Sequence, residues 1–179
     1  NNGSYKLFAA AGTKIWEATS STATAVFNGI SSANLQFVNF TNPSGNYIVA
    51  CNGVDPVLIF DGTAWFKVAT TTTAQTISTI THVGAVATLT TASAHGLVTG
   101  NRVTISGAVE AAYNGAFVIT VTGASTFTYT MASTPATDAT TVGSYVPTGI
   151  TGIDSSNFIN INLYKNRLWF TEKDSMSAW

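Results

Sequence analysis

The central stretch of the chain, residues 85–145, contains the segments RVTIS (102–106) and TFTYTM (126–131). In both segments apolar and polar side chains alternate with a period of two, which is typical of a half-buried antiparallel strand. The alternation predicts an inward-facing apolar set made of Val103, Ile105, Phe127, Tyr129 and Met131. We therefore expect this stretch to form a sheet with one buried face.

Three short segments, HGL (95–97), TGN (99–101) and YNG (113–115), separate these strands. Each carries a glycine at a point where the backbone reverses, and glycine adopts positive φ without steric cost. A polar Thr-rich linker precedes the module, and VPTG (146–149) follows it. The pattern predicts a small antiparallel β-barrel over residues 72–147, inserted into a different architecture.

Hairpins are predicted on both sides of this insert. The flanking strand pairs are joined by AGT (11–13), DG (61–62) and KN (165–166), and Asp-Gly between two apolar runs is a strong hairpin signal. Three strands end in similar apolar pairs: Ile15-Trp16, Ile59-Phe60 and Trp169-Phe170. Trp16 and Phe60 are 44 positions apart, and Phe60 and Phe170 are 34 apart once residues 72–147 are removed.

These intervals lie near the ~40-residue period of a β-propeller blade. We therefore expect propeller-like hairpins over residues 1–71, continued over residues 148–179. An ordinary β-sandwich or an irregular sheet is the alternative. Outside the insert the chain supplies fewer than the ~4 blades that a propeller needs, so we expect other polypeptide or further sequence to complete it.

Composition favours an all-β structure that associates with other proteins. Charged residues make up only 8% of the chain, and the net charge is -1. Such a surface has little electrostatic attraction for nucleic acid or anionic membrane, and low net charge promotes association. No apolar run approaches the ~18 residues of a membrane span. Because the sequence does not begin with methionine, we expect it to be part of a longer or processed protein.

The flanks resemble a family of phage virion proteins. The segments that carry this resemblance are NGVDP (52–56), DGTAW (61–65), KNRLWF (165–170) and SMSAW (175–179). The resemblance implies a tail-nozzle or head-to-tail stabilisation protein of a short-tailed phage, present in the virion and assembled in the bacterial host cytoplasm. Its partners would be other copies of itself and neighbouring tail proteins.

The insert has a resemblance of its own. HGLVTGNRVTISG (95–107) and YNGAF (113–117) are similar to segments of a small β-barrel in phage tail proteins and in the first catalytic cysteine half-domain of ubiquitin-activating enzymes. The similarity implies a fold module only, because that chemistry needs a reactive thiol and the insert contains no cysteine.

Candidate chemistry is sparse, and the sequence predicts no catalytic, cofactor-binding or metal-binding residues. We expect His95 to fix its turn through ring-to-backbone hydrogen bonds; His82 is remote from it in sequence, and neither histidine has an evident orienting carboxylate. The acidic residues fall mostly at turns, and Cys51 is expected to be a small buried side chain. We conclude that the protein is not an enzyme and needs no cofactor.

Aromatic and basic residues allow two further hypotheses. Tryptophans are expected in the blade cores, with sugar stacking as the alternative role: Trp16, Trp65, Trp169 and Trp179. Lys165, Arg167 and Lys173 would contact packaged DNA if their end of the protein faced a channel, although Glu172 and Asp174 offset their charge. The sequence thus predicts a virion structural protein that acts through subunit contacts in a ring, with a carbohydrate- or cell-surface-binding module as the alternative.

Overall fold

The structure is a computed structural model that describes residues 5–175. These residues form an all-β structure, as expected, with only two short 3-10 turns, Ala111–Tyr113 and Ser155–Asn157. The strands are β1 (Phe8–Ala11), β2 (Lys14–Glu17), β3 (Thr24–Asn28), β4 (Gln36–Asn42), β5 (Gly45–Cys51), β6 (Leu58–Phe60), β7 (Trp65–Lys67), β8 (Gln75–Val83), β9 (Val86–Thr91), β10 (Arg102–Ser106), β11 (Gly115–Val118), β12 (Thr120–Gly123), β13 (Thr126–Thr130), β14 (Ser144–Pro147), β15 (Phe158–Tyr164) and β16 (Arg167–Glu172).

The chain divides into two compact units. Residues 5–67 and 154–175 form the flanking unit, and residues 68–153 form the central unit. The beginning and end of the central unit are joined by a parallel bridge between Ala69 and Gly149, in which Ala69 N–H donates to Thr148 O and Ile150 N–H donates to Ala69 O, each at 2.9 Å. A Cβ atom at Gly149 would overlap the Ala69 carbonyl, so glycine is required there. Residues 68–71 and 148–153 thus belong to the central unit.

The flanking unit consists of three antiparallel sheets. Their strand orders are β1-β2-β3, β4-β5-β6-β7 and β15-β16, and β15 packs along β4 and β5. The hairpins predicted at residues 11–13, 61–62 and 165–166 are confirmed, and their turns span residues 12–13, 61–64 and 165–166. β5 is apolar on both faces, and its last three residues, Val49, Ala50 and Cys51, are fully enclosed. This burial agrees with a strand covered from both sides.

The central unit is built on one seven-stranded sheet of order β11-β10-β14-β8-β9-β13-β12. The two outermost strands, β11 and β12, follow each other in the chain and are separated only by Ile119, which is buried. The predicted alternation is confirmed, since its inward-facing set lies in the core of this unit. That core contains Ile77, Ile80, Leu89, Val103, Ile105, Tyr113, Ile119, Phe127, Tyr129, Met131 and Tyr145.

Within residues 5–175, neither a closed propeller nor a closed barrel is detected. The flanking unit shows separate sheets of three, four and two strands and no closed propeller, and the central sheet has no hydrogen-bonded ladder between β11 and β12. Within the same residues, no helix is long and apolar enough to cross a membrane.

Candidate functional site

Within residues 5–175, no group of three or more His, Cys, Asp or Glu side chains could hold a metal ion. Three other features stand out: a buried ion pair, a histidine–carboxylate pair and an apolar cleft. Each lies within a single unit. Sequence reasoning identified none of the three.

A buried ion pair joins Asp55 to Lys67 in the flanking unit. Lys67 Nζ lies 2.9 Å from Asp55 Oδ1, and the two side chains are only 7% and 4% exposed. Lys67 Nζ also donates to Gly29 O at 2.6 Å. The pair links β7 to the segment between β5 and β6, and the hydrogen bond to Gly29 adds the segment that follows β3. The group therefore holds together parts of the chain that are distant in sequence.

The Asp55 carboxylate is surrounded by donors. Oδ2 accepts hydrogen bonds from Ser31 N–H at 2.6 Å and from Asn52 Nδ2 at 2.8 Å, and Oδ1 accepts one from the Ser31 hydroxyl at 3.0 Å. Burial by itself raises the pKa of Asp55, but the hydrogen bonds from Asn52, Lys67 and Ser31, with the charge of Lys67, hold that pKa below its ordinary value. A buried carboxylate is tolerated here because it is fully paired.

The NGVDP segment places Asp55 by local geometry. Asn52 Oδ1 accepts from Val54 N–H at 3.1 Å, which closes an Asx turn, and from Asp55 N–H at 2.8 Å; Gly53 sits at φ 73°. Gly53 N–H donates to Phe158 O at 2.8 Å. A Cβ atom at Gly53 would lie 2.7 Å from Ile159 Cγ2, so the turn also needs glycine for space. The segment that carried the family resemblance is therefore a structural core element of this unit.

His82 in β8 does have an orienting carboxylate, which corrects the sequence-based expectation. His82 Nδ1 lies 3.0 Å from Asp138 Oδ1, and the same oxygen accepts from His82 N–H at 2.9 Å. Asp138 was missed because it is 56 positions away in sequence, on the loop between β13 and β14.

Tyr113 determines which nitrogen of His82 carries the proton. The Tyr113 hydroxyl donates to Thr137 O at 2.8 Å, so it faces His82 Nδ1, 2.9 Å away, as an acceptor. With acceptors on both sides, Nδ1 must be the donor. Burial, followed by the nearby charges of Asp138 and Glu110, raises the pKa of Tyr113. The arrangement fastens the Thr137–Asp138 segment to β8.

His95 lies in its predicted turn and makes the expected ring-to-backbone hydrogen bond. Its Nδ1 accepts from Leu97 N–H at 3.0 Å, and Gly96 sits at φ 64°. The ring also packs edge-on against Phe127, with centroids 5.5 Å apart.

Cys51 is fully buried, as expected. Burial raises the pKa of its thiol to about 11. At neutral pH the group is therefore a protonated thiol enclosed in the core, which is a poor nucleophile.

An apolar cleft of about 330 Å³ opens in the flanking unit between β1 and the β4–β5 strands. Its walls include Phe8, Leu35, Phe37, Ile48 and Trp65. Trp65 is 4% exposed, and its indole Nε1 has no hydrogen-bond partner among residues 5–175. A second, more polar cleft adjoins the first and shares Phe8 and Ile48 with it.

The tryptophans occupy different environments, so the expectation that they all lie in the hydrophobic core is only partly correct. Trp65 is buried and packs against Phe8 and Phe60, but Trp16 is half-buried and Trp169 is 43% exposed. Trp179 lies outside the described residues. Exposure of Trp169 follows from strand alternation, because its neighbour Phe170 takes the buried face.

The outer face of the β15–β16 hairpin combines aromatic and polar side chains. Asn162 faces Trp169 across the strands, and Tyr164, which is 60% exposed, faces Arg167. Lys165 Nζ lies 5.4 Å from the centre of the Tyr164 ring. Two of the basic residues considered for DNA contact thus lie beside an aromatic ring rather than in a basic cluster.

No protein-family model, curated protein or solved structure matches this chain.

Proposed function

We propose that the protein is a structural component of a phage virion, in the tail nozzle or the head-to-tail connector, and acts through contacts between copies in a ring. The observation that carries the proposal is the flanking unit, in which antiparallel sheets of three, four and two strands leave free edges and an open apolar cleft. Free edges and exposed apolar surface favour association with further protein.

The family resemblance of the flanking segments favours the same proposal. The KNRLWF segment forms the end of a hairpin, and NGVDP forms the buried turn around Asp55. On this proposal the protein is assembled in the bacterial host cytoplasm, and its partners are other copies of itself and neighbouring tail proteins. The four-stranded β4–β7 sheet would be one propeller blade, with its neighbours completed by other polypeptide.

The central unit would then be a small barrel that lies on the outside of the ring or fills a gap between neighbouring copies. Its outermost strands β11 and β12 are joined through the single residue Ile119, which bends the sheet back towards its own beginning. A barrel of this kind removes free edges.

Sedimentation velocity of the purified full-length protein, together with mass spectrometry of purified virions, tests the proposal. We expect concentration-dependent assemblies in solution and the protein among virion components. A protein that stays monomeric and is absent from virions would contradict it.

Carbohydrate or cell-surface binding is the second candidate, favoured by the exposed Tyr164, Trp169 and Asn162 on one hairpin face. A glycan array probed with the wild type and with Trp169→Ala tests it. Binding by the wild type that disappears in the variant supports this function. The absence of binding across a broad array counts against it.

A further inference from the structure

The β1–β3 sheet covers only part of the sheet beneath it. Phe8 of β1 packs against Phe60 and Trp65, with ring centroids 4.8 and 5.3 Å apart, so β1 lies over the β6–β7 side. The cross-strand pairs Phe37–Ala50 and Asn39–Ile48 extend the β4–β7 sheet beyond this cover. These residues line the cleft, and Phe37 is 66% exposed.

β1 has a free edge. Ala18 N–H donates to Leu7 O at 2.8 Å, which makes Leu7–Ala18 a hydrogen-bonded pair in the register that continues as Phe8–Glu17 and Ala9–Trp16. Hydrogen-bonded and non-bonded pairs alternate along antiparallel strands. The N–H and C=O groups of Phe8 and Ala10 therefore point away from β2.

This free edge faces the cleft. Five consecutive residues, 6–10, line it. Since successive side chains of a strand point to opposite faces, a continuous run lines one cavity only when the edge of the strand borders that cavity. The cleft thus has the position of a fourth strand beside β1, above Phe37 and Ile48.

The β15–β16 hairpin of the same unit has complementary features. Within residues 5–175, β16 pairs only with β15, so its other edge is free. The hairpin exposes Trp169, Tyr164 and Arg167 on one face, and Trp, Tyr and Arg are the residues most enriched at the energetic centres of protein interfaces.

Charge is also compatible with a contact between copies. Lys6, which lines the cleft, already pairs with Glu17 at 3.0 Å, so the cleft offers no unbalanced charge to a charged partner.

We propose that the β15–β16 hairpin of one copy enters the cleft of the next, where β16 adds to the free edge of β1 and Trp169 packs on Phe37. This inference rests on the proposed ring of copies and names the surfaces that form it. Because the two surfaces differ, the contact is head-to-tail, the type that forms a ring when the rotation between copies closes and an open filament when it does not.

The experiment uses sedimentation velocity on the full-length protein with complementary variants. Phe37→Lys blocks the cleft, Trp169→Ala removes the inserted side chain, and both positions are exposed enough to leave folding intact. Each variant alone should lose self-association on the order of tenfold or more. Val83→Lys, at an 86% exposed position in the central unit, is the matched control and should associate like the wild type.

Mixing the two variants gives the decisive result. A head-to-tail contact leaves one intact cleft and one intact hairpin in the mixture, so one-to-one dimers should appear although each variant alone is monomeric. Ala10→Pro, which removes an outward N–H, should weaken association while leaving the β1–β2 hydrogen bonds in place.

The outcomes separate the two proposals. Association of the wild type and of both variants to the same extent overturns this inference but leaves the proposed function standing. Variants that are monomeric and do not combine overturn the pairing of these two surfaces. A wild type that is monomeric at every concentration overturns this inference, and it overturns the proposed function as well if the protein is also absent from virions.

Discussion

The ammonium group of Lys67 lies 2.9 Å from Oδ1 of Asp55, and both side chains are more than nine-tenths buried. Removing one partner of such a pair leaves an uncompensated charge in the core, which typically costs about 3–5 kcal/mol. We expect Lys67→Met and Asp55→Asn each to lower the free energy of unfolding by about that amount. Urea unfolding followed by tryptophan fluorescence measures the effect.

The double variant should lose less than the sum of the single variants, because neither charge then remains unpaired. Lys6→Met, which breaks an exposed pair with Glu17, is the control and should cost less than about 1 kcal/mol. Strict additivity of the two buried substitutions would contradict the coupling.

Acid should destabilise the flanking unit through the same carboxylate. Burial raises the pKa of Asp55, but its hydrogen bonds and the charge of Lys67 together lower the pKa by more than burial raises it. The folded-state pKa therefore lies below the ordinary value of 3.8. A depressed pKa contributes stability that is present above the unfolded-state value and is lost as pH falls through the folded-state value. The urea midpoint of unfolding of the wild type should therefore decrease as the pH is lowered below about 4. The decrease should be less steep in Asp55→Asn. Parallel curves for the two proteins would exclude Asp55 as the cause.

Gly53→Ala should be more destabilising than an ordinary substitution at positive φ. The new Cβ would meet Ile159 Cγ2 at 2.7 Å, whereas Gly12, at φ 59°, has no atom within 4 Å of the corresponding position. Gly12→Ala should therefore cost only the backbone penalty of about 1–2 kcal/mol, and Gly53→Ala more. Adding Ile159→Ala should recover part of the excess in thermal unfolding. Equal melting temperatures for the two alanine variants would refute the steric explanation.

Substitutions in the turn between β15 and β16 should change the stability of this hairpin. Lys165 and Asn166 both have positive φ, at 49° and 59°, which is the geometry of a two-residue type I′ turn. Replacing the pair by Asn-Gly should stabilise the hairpin by about 0.5–1 kcal/mol, because these residues accept positive φ best. Asn166→Val should destabilise it by about 1–2 kcal/mol. Chemical denaturation measures the change in the free energy of unfolding of each variant. If Asn166→Val stabilised the protein, the turn would not have the positive φ angles described.

The central unit should be removable. Its ends are joined by the Ala69–Gly149 bridge, so they lie side by side within that unit. We expect a protein in which Lys67 is joined to Asp154 by a short Gly/Ser linker to keep a folded flanking unit, and residues 68–153 to fold alone. Circular dichroism and the protection of Cys51 from thiol reagents report the result, because that thiol is fully buried in the fold. Insoluble protein with a reactive Cys51 would show that the units depend on each other.

Strand positions and turns were largely predictable, because they rest on local rules. The turns between β1 and β2, between β6 and β7 and between β15 and β16 followed from glycine or asparagine between two apolar runs. The inward set of β10 and β13 followed from alternation, and the turn at Gly96 followed from glycine at positive φ.

The polar networks were not predictable. Asp138 is 56 positions from His82, and Ser31 is 24 positions from Asp55, so no local pattern connects them. The surroundings of Lys67 also depend on the tertiary fold, because its ammonium group donates to Gly29 O, which is 38 positions away.

The amino-acid sequence by itself determined that this protein is all-β, where several of its hairpin turns lie, and which face of β10 and β13 is buried, because these properties follow from alternation and turn chemistry within a few residues. Only the tertiary structure decided which buried faces meet. Trp65 is enclosed because Phe8 of a distant strand packs over it, and the cleft beside β1 exists because a three-stranded sheet lies over a four-stranded one.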